Sequence, residues 1–347
     1  MQSTSNKKYL NEVIIVRLGL ILLLVFFHAF AIYGGAWHRN YTPPSVNLYY
    51  WLDWLSFSFM LETFVFLSGF LFGTQIRNKG LLPIQTVIVK KFKRLIIPSI
   101  IFSVLYYFCF MYKQEDFGIG VMIEWISGVA HMWFLPMLFW CFLITRIILP
   151  FSDRYFKLAV LFSVIASILS FLPLPLQIDK CFYYIPFFIV GLFWGNGKIR
   201  SISPSNKVMV LTCALFLVLF VVFTKQNRFL LSVIDNYSIG MKLIIYSLVN
   251  VGKIVYSGLG VLLVYMIMCR VKEKGIEVSP SLIKLSECCF GVYLIQQFVL
   301  VYLYDFTILP INVHFLILPW ACFFIALLVS ILISWALRQT TIGRNLI

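Results

Sequence analysis

The sequence predicts an all-α protein, a polytopic bundle of about ten transmembrane helices that enclose a polar cavity. Hydrophobic residues make up 61% of the 347 residues, whereas charged residues make up only 12%. A globular core does not need apolar runs of spanning length along its whole chain, and the charges here lie mostly in short clusters between such runs. No loop is long enough to form a separate domain. Residues 1–347 are therefore expected to form one integral-membrane domain, with any chemistry taking place among the helices.

Apolar segments of spanning length recur along the chain. A helix needs roughly 20 predominantly apolar residues to cross about 30 Å of hydrocarbon. About ten windows approach this length, of which the sixth is short and the eighth long. The first segment is too long for a signal peptide and lacks a small-residue cleavage site, so we expect it to remain a membrane helix. The windows are residues 13–37, 48–74, 94–112, 124–149, 157–175, 182–197, 206–223, 241–270, 286–304 and 313–337.

The basic residues predict the orientation of the helices. Most of the 28 Lys and Arg residues fall on the side of the membrane that holds the N-terminus. Such an excess marks the cytoplasmic side, so both termini are expected in the cytoplasm. Topology thereby explains the net charge of +15, and no soluble domain is left to recognise nucleic acid. The loops concerned include residues 77–94, 154–157, 198–207 and 270–284.

The cysteines do not indicate a metal site. They lie mostly in apolar segments, with no C-x-x-C motif and no histidine at metal-ligand spacing. We interpret them as small buried hydrophobic residues, and no metal is implied. They are Cys109, Cys141, Cys181, Cys213, Cys269, Cys288, Cys289 and Cys322.

His28 lies deep in the first apolar stretch, in the run LLLVFFHAF. An ionisable side chain far from either membrane surface is costly and usually functional. Because an imidazole exchanges protons near neutral pH, it can take a proton from a hydroxyl and return it to a leaving group. The alternative is a histidine that only hydrogen-bonds a backbone carbonyl between helices. The bare apolar flanks favour the catalytic interpretation.

A basic cluster, Lys90 to Arg94, precedes Pro98 at the predicted cytoplasmic mouth of the third span. On a regular helix Lys91 and Arg94 share a face and can hold a phosphorylated ligand that arrives from the cytoplasm. The alternative is a juxtamembrane cluster that binds anionic lipid and sets topology, as most such clusters do.

The predicted fourth span contains His131 and Trp133. Trp133 offers a flat apolar face and a single donor, which suit a wall against a sugar or a cofactor. Alternatively, Trp133 belongs to the aromatic belt at the membrane interface. The same two interpretations apply to His131, and on the first both residues shape the site.

Glu62 lies deep in the second span. A buried carboxylate either takes up a proton or pairs with a cation, so Glu62 needs a partner. The candidates are His28, His131 and Lys253, and we expect Glu62 to help shape the site.

Two further sets of polar residues lie in the last third of the chain. A stripe at helical spacing follows one face of the eighth span and should face a cavity. A patch in the ninth span either lines the same cavity or forms hydrogen bonds between helices. The stripe consists of Tyr246, Asn250, Lys253 and Ser257, and the patch of Tyr293, Gln296 and Gln297.

Short motifs along nearly the whole chain together resemble a known family. They are Arg17 to His28 in the first span, FVFLSGFL at 64–71, the R-x-x-R-like element from Lys91 to Arg94 before Pro98, WFL at 133–135, and FGVYLI at 290–295. Present in this order, the motifs resemble the membrane-integral acyltransferase type 3 superfamily, which includes bacterial polysaccharide O-acetyltransferases. The order of the motifs is more specific than any one of them.

The resemblance implies a membrane O-acyltransferase. Such an enzyme takes an acyl group, usually acetyl, from cytoplasmic acyl-coenzyme A and passes it to a hydroxyl of a cell-surface carbohydrate or its lipid-linked precursor. His28 would then be the essential residue, as general base or transient acyl carrier, while Lys91 and Arg94 would hold the coenzyme A phosphates. Acyl-coenzyme A is a donor here and not a permanently bound cofactor. The resemblance also implies a bacterial cytoplasmic membrane.

Two positions depart from the superfamily pattern. Lys91 replaces the first arginine of the basic element, so it keeps the charge but cannot make a bidentate contact with phosphate. Gln296 stands where many members have a histidine, which removes a possible proton carrier.

An exporter or flippase of the same fold is the alternative function. In that case the polar stripe lines a translocation path, and His28 only gates it or satisfies hydrogen bonds. The use of an acyl-coenzyme A donor separates the two functions, because a flippase needs none.

Overall fold

The computed structural model describes residues 10–37, 39–112, 118–152, 156–168, 170–200 and 203–347. Within these residues the chain is helical and has no β-strand, as the sequence predicts. Arg154, in one of the predicted cytoplasmic loops, lies outside the described residues. The helices are α1 (Asn11–Gly34), α2 (Asn47–Lys79), α3 (Ile84–Lys91), α4 (Ile97–Phe110), α5 (Ile119–Ser127), α6 (Phe134–Ser152), α7 (Phe156–Ile168), α8 (Ile178–Gly195), α9 (Asn206–Ser232), α10 (Ile239–Glu273), α11 (Pro280–Asp305), α12 (Leu309–Asn312), α13 (Leu318–Gln339) and α14 (Thr341–Leu346).

Nine helical segments of the described chain are long and apolar enough to cross a membrane. One of them, Ile84–Phe110, joins α3 and α4 through a π-helical turn at Phe92–Ile96. The predicted window 157–175 holds α7 instead, a helix of 13 residues. At about 20 Å, α7 is shorter than a hydrocarbon core of about 30 Å. Nine long helices and a short one agree with a bundle of about ten.

The predicted window 124–149 is not one helix. α5 and α6 are separated by Gly128, whose φ is 88°, and by a 3-10 turn at Ala130–Trp133. A left-handed residue interrupts a right-handed helix, so the apolar pattern continues while the backbone turns. This turn carries His131 and Trp133 and determines where they lie.

The closest helix packing in the molecule joins α2 and α8 through glycines. A Cβ added to Gly69 or Gly73 of α2 would lie 2.1 Å from a backbone oxygen of α8. The same atom added to Gly191 or Gly195 of α8 would lie 2.2 or 2.0 Å from a backbone oxygen of α2. Small residues four apart let membrane helices approach closely. This contact fixes α2, which forms one wall of the site described below.

The two ends of the bundle carry different side chains. At the first, here called the Trp37 end, the C-termini of α1, α4 and α11 lie near the start of α2. At the opposite end, here called the Arg94 end, Arg94 interacts electrostatically with Arg17 of α1 and Arg338 of α13.

Two helices lie at the outside of the bundle. The apolar segments of α9 and α13 are only 17% and 22% buried. We expect their exposed apolar faces to contact lipid.

Candidate active site

A cavity of about 550 Å³ extends from His28 to the Trp37 end. Volumes of roughly 300–1,000 Å³ and apolar walls with a few polar groups are typical of small-molecule sites. The lining residues that carry a polar group are His28, Trp37, Arg39, Tyr106, His131, Trp133, Tyr293 and Gln297. The other lining residues are Leu24, Phe27, Ala36, Phe57, Met60, Leu61, Phe110, Met111, Ala130 and Phe134.

His28 lies in the wall of this cavity and is fixed by α11. The side chain is 7% exposed, and its Nδ1 lies 3.0 Å from the Gln296 Nε2 position. Two turns further along α11, the Tyr304 hydroxyl donates to the Ala29 carbonyl at 2.6 Å. α1 and α11 are therefore joined by one polar contact at the imidazole and by another at the carbonyl of the next residue. The sequence predicted the buried His28, and the structure adds Gln296 as its partner.

The Gln296 amide determines what His28 can do. An amide group can turn either its oxygen or its nitrogen toward Nδ1, and an imidazole carries its proton on either nitrogen. When the amide oxygen accepts a hydrogen bond from Nδ1–H, the Nε2 lone pair is free to take a proton from a hydroxyl. Gln296 has no exposed surface, so water does not compete for this contact. The arrangement suits a general base.

His131 faces His28 across the cavity, with the two ring centroids 6.1 Å apart. Its Nε2 lies 3.2 Å from the Leu294 carbonyl. Because a carbonyl only accepts, Nε2 carries the proton and Nδ1 carries the lone pair. The Tyr293 hydroxyl donates to the His131 carbonyl at 2.6 Å, which ties the 3-10 turn to α11. The structure thus brings His28, His131 and Tyr293 to one site.

Trp37 and Arg39 complete the wall at the Trp37 end, and sequence reasoning did not identify either one. The Trp37 ring stacks on His28 with centroids 5.5 Å apart and planes 28° apart. The Arg39 guanidinium carbon lies 4.6 Å from the centre of the Trp37 ring. Both residues follow α1 directly. The sequence signal that could have identified them was a Trp and an Arg just beyond a span that holds a buried histidine.

Trp133 lines the cavity, as expected of a wall residue. The Lys180 ammonium lies 4.2 Å from the centre of its ring. A cation over an indole face is an attractive contact that occupies that face. Only the remainder of the Trp133 ring is available to a bound molecule.

Glu62 lies outside the lining of this cavity. It is 5% exposed and accepts a hydrogen bond from the Tyr183 hydroxyl at 3.1 Å. Lys253 interacts with it electrostatically without a direct ion pair among the described residues. Of the partners considered for Glu62, the structure thus brings Lys253 near it and places His28 and His131 at the cavity.

The polar stripe on α10 connects helices and does not line the cavity. The Asn250 amide donates to the Ile168 carbonyl of α7 at 3.1 Å. The Ser257 hydroxyl donates to the Ser58 carbonyl of α2 at 2.6 Å. The spacing indicated one polar face, but neighbouring helices cover it at Asn250 and Ser257, while Tyr246 is exposed.

Lys91 and Arg94 lie at the Arg94 end but contact different neighbours. The Lys91 ammonium lies 3.6 Å from the centre of the Phe142 ring of α6. Arg94 is exposed and lies near Arg17 and Arg338. The π-helical turn at Phe92–Ile96 explains the difference, because its wider turn rotates successive side chains away from the regular i, i+3 alignment.

Comparison with protein families identifies an acyltransferase family. The model of a family described as an acyltransferase domain matches residues 10–339 of this chain. The matched region contains both His28 with its cavity and the basic residues of the Arg94 end. No curated protein and no solved structure matches the chain.

Proposed function

We propose, from the premise that this chain belongs to the acyltransferase family matched over residues 10–339, that it moves an acetyl group from acyl-coenzyme A to a carbohydrate. Family membership gives acyl transfer in general, and the nine helices of spanning length among the described residues give a membrane enzyme. The proposal adds that the donor binds at the Arg94 end and that the acceptor hydroxyl enters the cavity beside His28. Cell-surface O-acetylation is the corresponding biological role.

The observation that carries this proposal is the distance along α1 between Arg17 and His28. Arg17, at the Arg94 end, and His28, in the cavity, are separated by about 16 Å of helix axis at 1.5 Å per residue. The pantetheine arm of coenzyme A has roughly 13 bonds between phosphorus and sulfur. At the advance per bond of a fully extended backbone, this arm spans roughly 15 Å. Phosphates held near Arg17 and Arg94 would therefore place the thioester beside His28.

An apolar layer separates the two places in the described structure. Leu20, Ile21 and Leu24 of α1 are 3%, 5% and 2% exposed. We infer that the donor arm parts this layer when it binds, since its two amides and its thioester need space beside α1. Closure of the layer in the absence of donor keeps water and ions from crossing the bundle.

The cavity suits a carbohydrate hydroxyl as acceptor. Its aromatic rings offer flat apolar faces, and its histidines, tyrosines and Gln297 offer hydrogen-bonding groups. Arg39 is paired with Asp305 at 2.9 Å, so its charge is neutralised at the cavity mouth. These features favour an uncharged, hydroxyl-bearing molecule over an anionic one.

The chemistry then needs one proton carrier. His28 takes the proton from the acceptor hydroxyl while the hydroxyl oxygen attacks the thioester carbonyl. The carbon–sulfur bond then breaks, and the proton passes from His28 to the thiolate. Alternatively, the imidazole first accepts the acyl group and then yields it to the hydroxyl. In both routes the products are free coenzyme A and an ester.

The proposed location is the bacterial cytoplasmic membrane, with both termini in the cytoplasm. The gathering of Arg17, Arg94 and Arg338 at one end of the bundle supports this orientation. The Trp37 end then faces outward, toward the glycan. With both termini in the cytoplasm, the chain crosses the membrane an even number of times. Beside the nine long helices of the described residues, α7 with the residues after it would supply the tenth crossing.

The test measures release of free thiol from acetyl-coenzyme A by the purified protein in nanodiscs, with and without a crude glycan. We expect release by the wild type and loss of release in His28→Ala and Arg94→Ala. His314→Ala is the matched control, because His314 is exposed and does not line the cavity. Thermal unfolding of each variant shows whether it is folded.

The opposite result is equally specific. If the wild type neither releases thiol nor binds labelled acetyl-coenzyme A, no donor site exists. The exporter interpretation would then replace acyl transfer to a glycan.

A further inference from the structure

We propose that an ion pair between Arg39 and Asp305 holds the Trp37 ring against His28, and that Trp37, Arg39 and Asp305 are positioning residues for the transfer reaction. The inference rests on the proposed role of His28 in acyl transfer, but its geometry stands on contacts of its own. It concerns the connection between α1 and α2, which no motif of the sequence singled out.

The end of α1 folds back over the helix. Gly35 adopts the left-handed conformation, with φ 80° and ψ 7°, and its N–H donates to the Ala31 carbonyl. The N–H groups of Ala36 and Trp37 also point to that carbonyl, at 3.2 and 3.4 Å. A residue with a Cβ adopts this conformation at a cost, which explains a glycine here. The turn directs Trp37 back toward the cavity instead of away from the bundle.

Trp37 belongs to no helix, and its ring packs against the cluster of Tyr106, Val129 and Val301. Arg39 adds a contact with the ring itself. Its guanidinium carbon lies 4.6 Å from the centre of the indole, while the indole itself stacks on the His28 ring. A planar guanidinium is well suited to lie over an aromatic face.

Asp305, at the last residue of α11, anchors this arrangement. Its Oδ2 accepts from Arg39 Nη1 at 2.9 Å, and its Oδ1 accepts from the Asn40 backbone N–H at 3.3 Å. The Arg39 and Asp305 side chains are 17% and 12% exposed, so solvent screens the pair less than a surface ion pair. Two oxygens of one carboxylate thus bind the connection at two points.

Two of the contacts of His28 therefore depend on α11. Gln296 contacts Nδ1 directly, and Asp305 acts through Arg39 and Trp37. The amide restrains one nitrogen of the imidazole and the indole covers one face of the ring. A correctly placed base raises the rate of the chemical step, not the affinity for the donor.

The first measurement is steady-state kinetics of thiol release by full-length protein in nanodiscs. Asp305→Asn and Trp37→Ala should lower kcat by about tenfold while KM for acetyl-coenzyme A stays within about twofold, since the donor phosphates bind about 16 Å away. Asp305→Glu, which keeps the carboxylate, should restore most of kcat. Asp235→Asn is the matched control, because the Asp235–Lys242 pair at 3.3 Å lies in another connection.

The second measurement does not depend on activity. Diethyl pyrocarbonate acylates accessible imidazoles, and peptide mass spectrometry gives the rate at His28. That rate should rise several-fold in Asp305→Asn and Trp37→Ala and stay unchanged in Asp235→Asn. If the wild type has no transferase activity but shows this pattern, the ion pair still positions Trp37 and the proposed function fails. If Asp305→Asn changes neither kcat nor the His28 labelling rate, the positioning role is wrong.

Discussion

The substitution Gln296→Leu removes the side-chain partner of His28 and puts an apolar side chain of similar size in its place. In the wild type the amide lies 3.0 Å from Nδ1 and has no exposed surface. When His28 takes up a proton in the transition state, Nδ1–H needs an acceptor, and the Gln296 amide is the side-chain group within hydrogen-bond distance of Nδ1. A buried polar group left without a partner costs about 1–3 kcal/mol. At about 1.4 kcal/mol per factor of ten, kcat should fall about 5- to 150-fold.

The assay is thiol release at saturating acetyl-coenzyme A, with KM measured alongside. KM for the donor should stay unchanged, because Gln296 contacts His28 and does not lie at the Arg94 end. Gln296→Glu should retain activity, since a carboxylate accepts the same Nδ1–H bond. Asn250→Leu is the control, because it also removes a side-chain amide that donates a hydrogen bond to another helix, but one outside the cavity. We expect it to lower thermal stability and leave kcat unchanged.

The result that refutes this reasoning is a folded Gln296→Leu protein whose kcat lies within about twofold of the wild type. His28 would then need no acceptor at Nδ1, and the general-base assignment would lose its structural support. An equal loss of kcat in Asn250→Leu would show that the effect of Gln296→Leu arises from a less stable helix bundle.

Three further predictions concern the helices, Glu62 and the donor. Gly191→Val should lower the midpoint of thermal unfolding sharply, because its Cβ would lie 2.2 Å from a backbone oxygen of α2, whereas Gly19→Ala, with no atom within 4 Å, should not. Glu62→Gln should leave kcat unchanged, because the residue lies outside the cavity lining and an amide still accepts the Tyr183 hydrogen bond. Arg94→Ala should raise KM for acetyl-coenzyme A about 10- to 150-fold by removing a charge-assisted phosphate contact.

Each of these has a result that contradicts it. An unchanged unfolding midpoint in Gly191→Val would mean that α2 and α8 are further apart than described. A large loss of kcat in folded Glu62→Gln would place that carboxylate in the reaction. An unchanged donor KM in Arg94→Ala would mean that the donor phosphates do not bind at the Arg94 end. Lys93→Ala is the control at a neighbouring basic residue.

The fold class and the central residue follow from the sequence because each depends on local pattern. Long apolar runs can only be membrane helices, and a histidine among them is conspicuous at any depth. The break between α5 and α6 escapes the same reasoning. Gly128 turns the backbone through a left-handed conformation without changing the apolar character of the segment.

The partners of the site residues do not follow from the sequence, because they depend on which helices become neighbours. His28 and Gln296 are far apart in the chain and meet only where α1 packs on α11. Helical spacing showed that Lys253 belongs to a polar face, yet it gave no means of knowing that α2 and α7 cover that face. Trp37 was assigned to the end of a span, since nothing local reveals that Gly35 turns it back onto His28.

The most direct test of the account uses sealed vesicles that contain the protein, with radiolabelled acetyl-coenzyme A outside and a neutral oligosaccharide trapped inside. Molecules inserted with the Arg94 end outward should yield labelled oligosaccharide in the lumen, and His28→Ala vesicles should yield none while His314→Ala vesicles match the wild type. Equal labelling by His28→Ala, or escape of unlabelled oligosaccharide from wild-type vesicles without acetyl transfer, would contradict acyl transfer across the membrane at His28.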